Sequence, residues 1–150
     1  MQRIEWEASL ETGDPVVDLQ HRTIHNLFNR LADAGDNAAE ILATLDYLTE
    51  HVLVHFATEE ALMRAEQFPA GLTAAHVGEH HALTAGVRDR VLEFRDGRLT
   101  STAPMLEFLR QWLTLHVHEC DRVLVEHVRA RGAAAEVPEA WIELRKSASA

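Results

Sequence analysis

Apolar residues recur along most of this chain every three to four positions, the period of a helix that buries one face. Strict alternation is rare and β-branched clusters are short, so strand signal is weak. Gly, Pro and capping residues divide the periodic stretches. Residues 1–15 read as an irregular arm ending at Gly13-Asp14-Pro15. A first helix is predicted from about Val16 to Ala34, stopped by Gly35. Asp36 can cap a second, from about Asn37 to Gln67, which Pro69 ends. A third is predicted from about Ala70 to Arg95, closed by Gly97. A fourth begins near Pro104, after Ser101-Thr102, and stops at Gly132. Pro138-Glu139 can open a short final helix through Lys146. The connections are only a few residues long, which makes consecutive helices antiparallel neighbours. The expected fold is all-α: an antiparallel up-down-up-down four-helix bundle with an N-terminal arm and a short C-terminal helix. It is expected as a single domain over residues 1–150: arm 1–15, bundle about 16–131, tail 132–150.

Each predicted helix carries histidine within its apolar stripe. The first stripe reads Val17, His21, Ile24, Phe28, Leu31, and the second Ile41, Leu45, Leu48, Val52, His55, Glu59, Leu62. The third reads Leu72, His76, His80, Leu83, Val87, Val91, Phe94, and the fourth Met105, Leu109, Trp112, His116, Cys120, Val123. These spacings aim several imidazoles and a carboxylate at an apolar interior. One unsatisfied buried polar group costs a few kcal/mol, and a lone buried charge costs more. Several together would exceed the roughly 5–15 kcal/mol that keeps a small domain folded. Metal ions held between the helices would satisfy all of them at once. His55 with Glu59, and His76 with His80, are i, i+4 pairs, the helical chelate spacing. On the fourth helix the carboxylate partner of His116 stays open. Glu119 is three residues on, whereas Asp121 is five residues on, roughly 140° around an ideal helix.

Composition narrows the class. Lys and Arg number 14 against 24 Asp and Glu, a net charge of −10, which disfavours nucleic acid and anionic membrane partners. No apolar run is long enough for a membrane span. The N-terminus shows no signal-peptide pattern and Cys120 is the single cysteine, so a cytoplasmic location is expected. Five of the ten histidines stay outside the ligand set. His51 borders a stripe, His25 sits on a flank, His81 and His118 point away, and His127 suits a helix end. Cys120 reads as a small buried apolar residue, and Glu60 as a solvated neighbour of Glu59.

Several segments resemble the bacterial hemerythrins. Trp6-Glu7-Ala8-Ser9-Leu10-Glu11-Thr12-Gly13, followed by Asp18-Leu19-Gln20-His21, looks like that family's opening. His55-Phe56-Ala57-Thr58-Glu59-Glu60 resembles its HFxxEE motif, and His76-Val77-Gly78-Glu79-His80 its HxxEH segment. Trp112-Leu113 with His116-Val117 and Asp121 resembles its WLxxHIxxxD segment. The resemblance spans about residues 4–127 and favours Asp121 over Glu119. It implies two iron ions, one bound by His76, His80 and His116 and the other by His21 and His55. Glu59, Asp121 and an oxo or hydroxo group would bridge them. Five imidazoles, two bridging carboxylates and a single-atom bridge then leave one octahedral position open, on the iron with two histidines.

The implied function is reversible dioxygen binding for storage, transport or delivery, without catalysis. Leu113, one turn before His116, is expected to cover the oxygen pocket, with Trp112 and Phe56 helping to wall it. The other classes are an oxygen- or iron-sensing module and a di-iron oxidase, peroxidase or nitric-oxide-handling protein. No substrate-binding polar cluster favours the enzyme. A monomer is expected, with an oxygen-consuming protein as recipient.

Overall fold

A computed structural model of the protein describes residues 3–131. Helix α1 runs Pro15–Asp33, α2 Ala38–Ala65, α3 Ala70–Arg95 and α4 Ala103–His116. A π-helical turn, Val117–Asp121, continues α4 directly into α5, Arg122–Arg131. Among the described residues there is no strand. The helices form the expected all-α bundle, with α4, the π turn and α5 together making the fourth rod. The final helix expected over 138–146 lies outside the described residues.

Local chemistry sets the helix starts. Asp14 caps α1, its Oδ1 accepting from the Val16 and Val17 amides at 3.0 and 3.2 Å, with Pro15 in the first turn. Asp18 reaches back to the arm and accepts from Thr12 N, Thr12 Oγ1 and Gly13 N at 2.8, 2.7 and 3.1 Å. Gly13 turns the chain there at φ +96°, where a side chain would be strained. The cap of α2 is Asn37, not Asp36, because the helix begins one residue later than expected; Asn37 Oδ1 accepts from Glu40 N at 3.1 Å. The second helix also stops early, since Gln67 takes φ 52° and leaves the helix before Pro69.

Two apolar cores lie along the bundle. The larger joins Ile24, Phe28 and Leu31 of α1 to Leu45, Leu48 and Val52 of α2, Val87 and Val91 of α3, and Leu106 and Leu109 of α4. The smaller joins Val16 and Val17 to Leu62, Met63 and Phe68, and to Leu124, Val125 and Val128 of α5. Each fully buried aliphatic side chain contributes about 1.5–3 kcal/mol. The polar stripe positions fall between these two sets along each of α1, α2 and the fourth rod. The cores therefore clamp a polar layer from both ends.

The expected stripes hold on α1 and α2 and need correction at three positions. Leu72 is exposed near the start of α3. On the fourth rod the extra residue of the π turn shifts the register. Val123 is exposed and Cys120 only half-buried, while Leu124, Val125 and Val128 take the core positions. No described helix is long and apolar enough to cross a membrane.

Candidate metal centre

The polar layer contains His21, His55, Glu59, His76, His80, His116 and Asp121, each no more than 3% exposed. All five imidazoles turn Nε2 inward. Two groups of donor atoms result. Glu59, His76, His80, His116 and Asp121 form one, and His21, His55, Glu59 and Asp121 the other, with the donors of each group within 4.8 Å of one another. Glu59 and Asp121 belong to both. All seven side chains singled out by sequence are thus brought together, and in the grouping the resemblance implied.

Glu59 arrives from an ordinary α-helical turn, one turn after His55. Its Oε2 lies 3.0 Å from His80 Nε2 and 3.3 Å from His76 Nε2, and its Oε1 lies 3.2 Å from His55 Nε2. Asp121 arrives differently. The Arg122 amide bonds the Val117 carbonyl, an i→i+5 bond, so the turn holds one more residue than an α-turn. That residue carries Asp121 round to the His116 face, where Oδ1 is 3.0 Å from His116 Nε2 and 2.9 Å from His76 Nε2. Its Oδ2 is 2.8 Å from His21 Nε2 and 3.5 Å from His55 Nε2. Glu119, the other carboxylate the sequence leaves open, is exposed.

The outward nitrogens fix the tautomers. Thr58 Oγ1 donates to the Val54 carbonyl at 2.9 Å, and so accepts from Gln20 Nε2 at 3.0 Å. Gln20 Oε1 therefore faces His55 Nδ1 at 2.8 Å, and that ring nitrogen donates. His116 Nδ1 donates to Glu79 Oε2 at 2.6 Å and His80 Nδ1 to Glu60 Oε1 at 3.0 Å. Neutral rings held this way present a lone pair on Nε2, the form that binds metal. Sequence reasoning missed Gln20 and Glu79 altogether and assigned Glu60 to solvent. Glu79 lies one residue before His80, but no spacing rule aims it at His116 on another helix.

The cluster demands cations. His21 Nε2 faces His55 Nε2 at 3.1 Å, and His76 Nε2 faces His116 Nε2 at 3.2 Å. With the Nδ1 protons of His55 and His116 committed outward, the inward atoms are lone pairs facing carboxylates. Glu59 Oε1 has no aligned hydrogen-bond donor among the described residues. Protons or metal ions must sit among them. With protons alone, burial lowers the pKa values of His55, His76 and His116, but the carboxylates outweigh it. Glu59 and Asp121 raise His55 to about 10, and Asp121 and Glu59 raise His76 to about 9. Burial raises Glu59 and Asp121 in turn, yet the imidazoles hold both below the usual carboxylate range. The donor set of five imidazoles and two shared carboxylates fits a pair of divalent or trivalent ions.

A small cavity of about 30 Å³ lies against the two-histidine group, lined by His21, Leu113, Thr114 and Val117, with Ile4, Trp6, Leu10 and His25 closing it. Leu113 is therefore beside His21. Phe56 and Trp112 lie elsewhere. Phe56 stacks on His80 with centroids 3.9 Å apart, and Trp112 meets Phe56 edge-on, at the three-histidine group.

The other histidines stay outside. His51 and His81 are exposed. His25 is buried, contrary to its flank assignment, because Trp6 of the arm covers it at 5.5 Å. His127 Nε2 donates to the Glu66 carbonyl at the end of α2 at 3.0 Å. Cys120 Sγ donates to Glu79 Oε2 at 3.2 Å, and burial with the Glu79 charge pushes its pKa up to about 12.

Residues 12–128 match the hemerythrin HHE cation-binding domain family. A bacteriohemerythrin of Ralstonia nicotianae is 32% identical over 129 residues, covering 86% of this chain and 91% of that one. A bacteriohemerythrin of Methylococcus capsulatus is 33% identical over 127 residues, covering 82% and 95%. A crystal structure of a hemerythrin carrying a single leucine-to-alanine substitution superposes with a TM-score of 0.74 at 31% identity, covering 85% of this chain and 98% of that one. By its helices, its buried imidazole and carboxylate cluster and these relatives, the chain belongs to the hemerythrin family.

Proposed function

We propose that this protein binds dioxygen reversibly at a non-haem di-iron centre and serves to store, carry or deliver it. The observation that supports this best is the pair of overlapping donor sets, unequal by one imidazole, with the small cavity against the poorer set. His76, His80 and His116 would hold one iron, His21 and His55 the other, and Glu59 and Asp121 both. When bound, the iron pair supplies two electrons that move to dioxygen and return.

The chain's own residues set the conditions. Gln20, Glu60 and Glu79 hold three rings in the tautomer that binds metal. The cavity, about 30 Å³, exceeds the ~10–15 Å³ that one water needs and so has room for a diatomic ligand. Leu113, Ile4 and Leu10 give it apolar walls that do not stabilise escaping charge.

Metal analysis with an optical spectrum of the reduced protein, before and after air, tests the proposal. It predicts two irons per chain and charge-transfer bands that appear with oxygen and vanish on its removal. Bands that never reverse, or steady oxygen consumption with an organic substrate, would sink it.

A further inference from the structure

The five imidazoles are not backed alike. In the three-histidine group, His80 and His116 donate Nδ1–H to carboxylates, Glu60 at 3.0 Å and Glu79 at 2.6 Å. In the two-histidine group, His55 donates to the neutral amide of Gln20 at 2.8 Å. The Nδ1 atoms of His21 and His76 have no hydrogen-bond partner among the described residues. Every backing carboxylate therefore lies on one side of the cluster. Neither Glu60 nor Glu79 is placed as a ligand, since each meets its imidazole on the nitrogen that faces away from the centre.

We propose that Glu60 and Glu79 are positioning residues whose charge makes the three-histidine metal ion the electron-rich member of the pair, and that neutral Gln20 leaves the two-histidine ion the stronger Lewis acid. The inference rests on the di-iron reading above. A carboxylate that accepts an imidazole N–H draws the proton toward itself, and the far nitrogen becomes a stronger donor. An amide oxygen orients the ring equally well but polarises it less. The three-histidine ion is then the first to lose an electron. An external one-electron oxidant such as ferricyanide takes that electron and becomes ferrocyanide, and no bond in the protein is made or broken. The two-histidine ion, beside the cavity, keeps its lower charge until the second step. Glu79 Oε2 also accepts from the Cys120 thiol at 3.2 Å, which divides its negative charge between two donors.

Isosteric amides separate charge from orientation. Glu60→Gln and Glu79→Gln keep an acceptor oxygen for the imidazole and remove the charge. Gln20→Glu adds the charge on the opposite side. The full chain, loaded with iron and reduced, is titrated potentiometrically with ferricyanide, and the mixed-valence fraction is read from the optical and Mössbauer spectra. Two separated one-electron steps are expected in the unaltered protein. Each of the three substitutions should lower the comproportionation constant of the mixed-valence state, by about tenfold if it follows the low end of what such partners contribute to metal affinity. Constants equal to that of the unaltered protein, at full iron loading, would overturn the inference and leave the di-iron reading standing. Fewer than two irons per chain in the unaltered protein would overturn that reading itself. If a glutamine variant loses iron, Gln20→Glu decides alone, because it keeps the acceptor oxygen for His55 and gives up only the Gln20 Nε2 donor to Thr58 Oγ1.

Discussion

Two carboxylates do the same work in this centre from different backbones. Glu59 sits on an unbroken helix, one regular turn after His55. Asp121 sits five residues after His116, at the end of a π-helical turn. Both are wholly buried, and both touch imidazoles of both donor groups. The side chains differ by one methylene. A glutamate reaches the centre from an ordinary α-turn, whereas the shorter aspartate is delivered by a backbone that is itself rearranged. The residue that a regular turn would pair with His116 is Cys120, which the π turn moves aside to face Glu79 instead. An irregular turn inside a helix is thus part of the site.

Removing either carboxylate should have the largest effect. Loss of an outer-shell partner alone costs about 10–100-fold in metal affinity, so Glu59→Ala and Asp121→Ala should each cost more than about 100-fold. Isothermal titration with iron or zinc under anaerobic conditions measures this. Two ions bound with unchanged affinity in either variant would refute the shared role of these residues.

Deleting Glu119, which is exposed, tests the difference between the two backbones. The deletion should turn the π turn into a regular one and leave the α5 register, with Leu124, Val125 and Val128, in the core. Helicity should persist by circular dichroism while metal content falls, because Asp121 would stand where Glu59 stands but one methylene short. Adding Asp121→Glu to the deletion should restore metal. Failure of that double change would show that the turn does more than compensate for length.

The carboxylates also govern the metal-free protein. His55 and His76 have folded pKa values of about 10 and about 9, against an ordinary 6.5. A raised folded pKa gives stability that is complete below the ordinary value and is lost as pH rises through the folded one. Metal-free protein should therefore become easier to unfold in urea between about pH 7 and pH 10. Metal-loaded protein should not weaken over that range, because metal replaces those protons and binds more tightly as they leave. On the acid side Glu59 and Asp121, both depressed, lose their contribution as pH falls through the carboxylate range. A flat metal-free profile from about pH 7 to 10 would mean that the imidazoles are not paired with the carboxylates as described.

Cys120 should matter least. It is the residue the π turn displaces, and it offers Glu79 one weak S–H donor. Cys120→Ser should keep full metal content and shift stability by no more than about 1 kcal/mol.

The readable part of the site was the part built on regular helices. His21, His55, Glu59, His76 and His80 stand out because they occupy apolar stripes and, in two pairs, an i, i+4 spacing that assumes nothing beyond an α-helix. Asp121 does not, since its position makes sense only once the backbone takes an extra residue, and helical periodicity leaves the choice between it and Glu119 open. The same extra residue moved Val123 out of the core and Leu124 and Val125 into it. The partners Gln20 and Glu79 were invisible for another reason. Each serves a histidine on a neighbouring helix, and no spacing along one helix encodes a contact between two. His25 was misplaced because the arm that buries it has no periodicity from which its path can be predicted.

Anomalous diffraction from crystals of the iron-loaded protein, at the iron edge, tests the central claim most directly. It should show two peaks about 3.5–4 Å apart. One should lie among the Nε2 atoms of His76, His80 and His116, the other between His21 and His55, with Glu59 and Asp121 touching both. A single peak, or a pair in which Asp121 touches neither, would contradict the account.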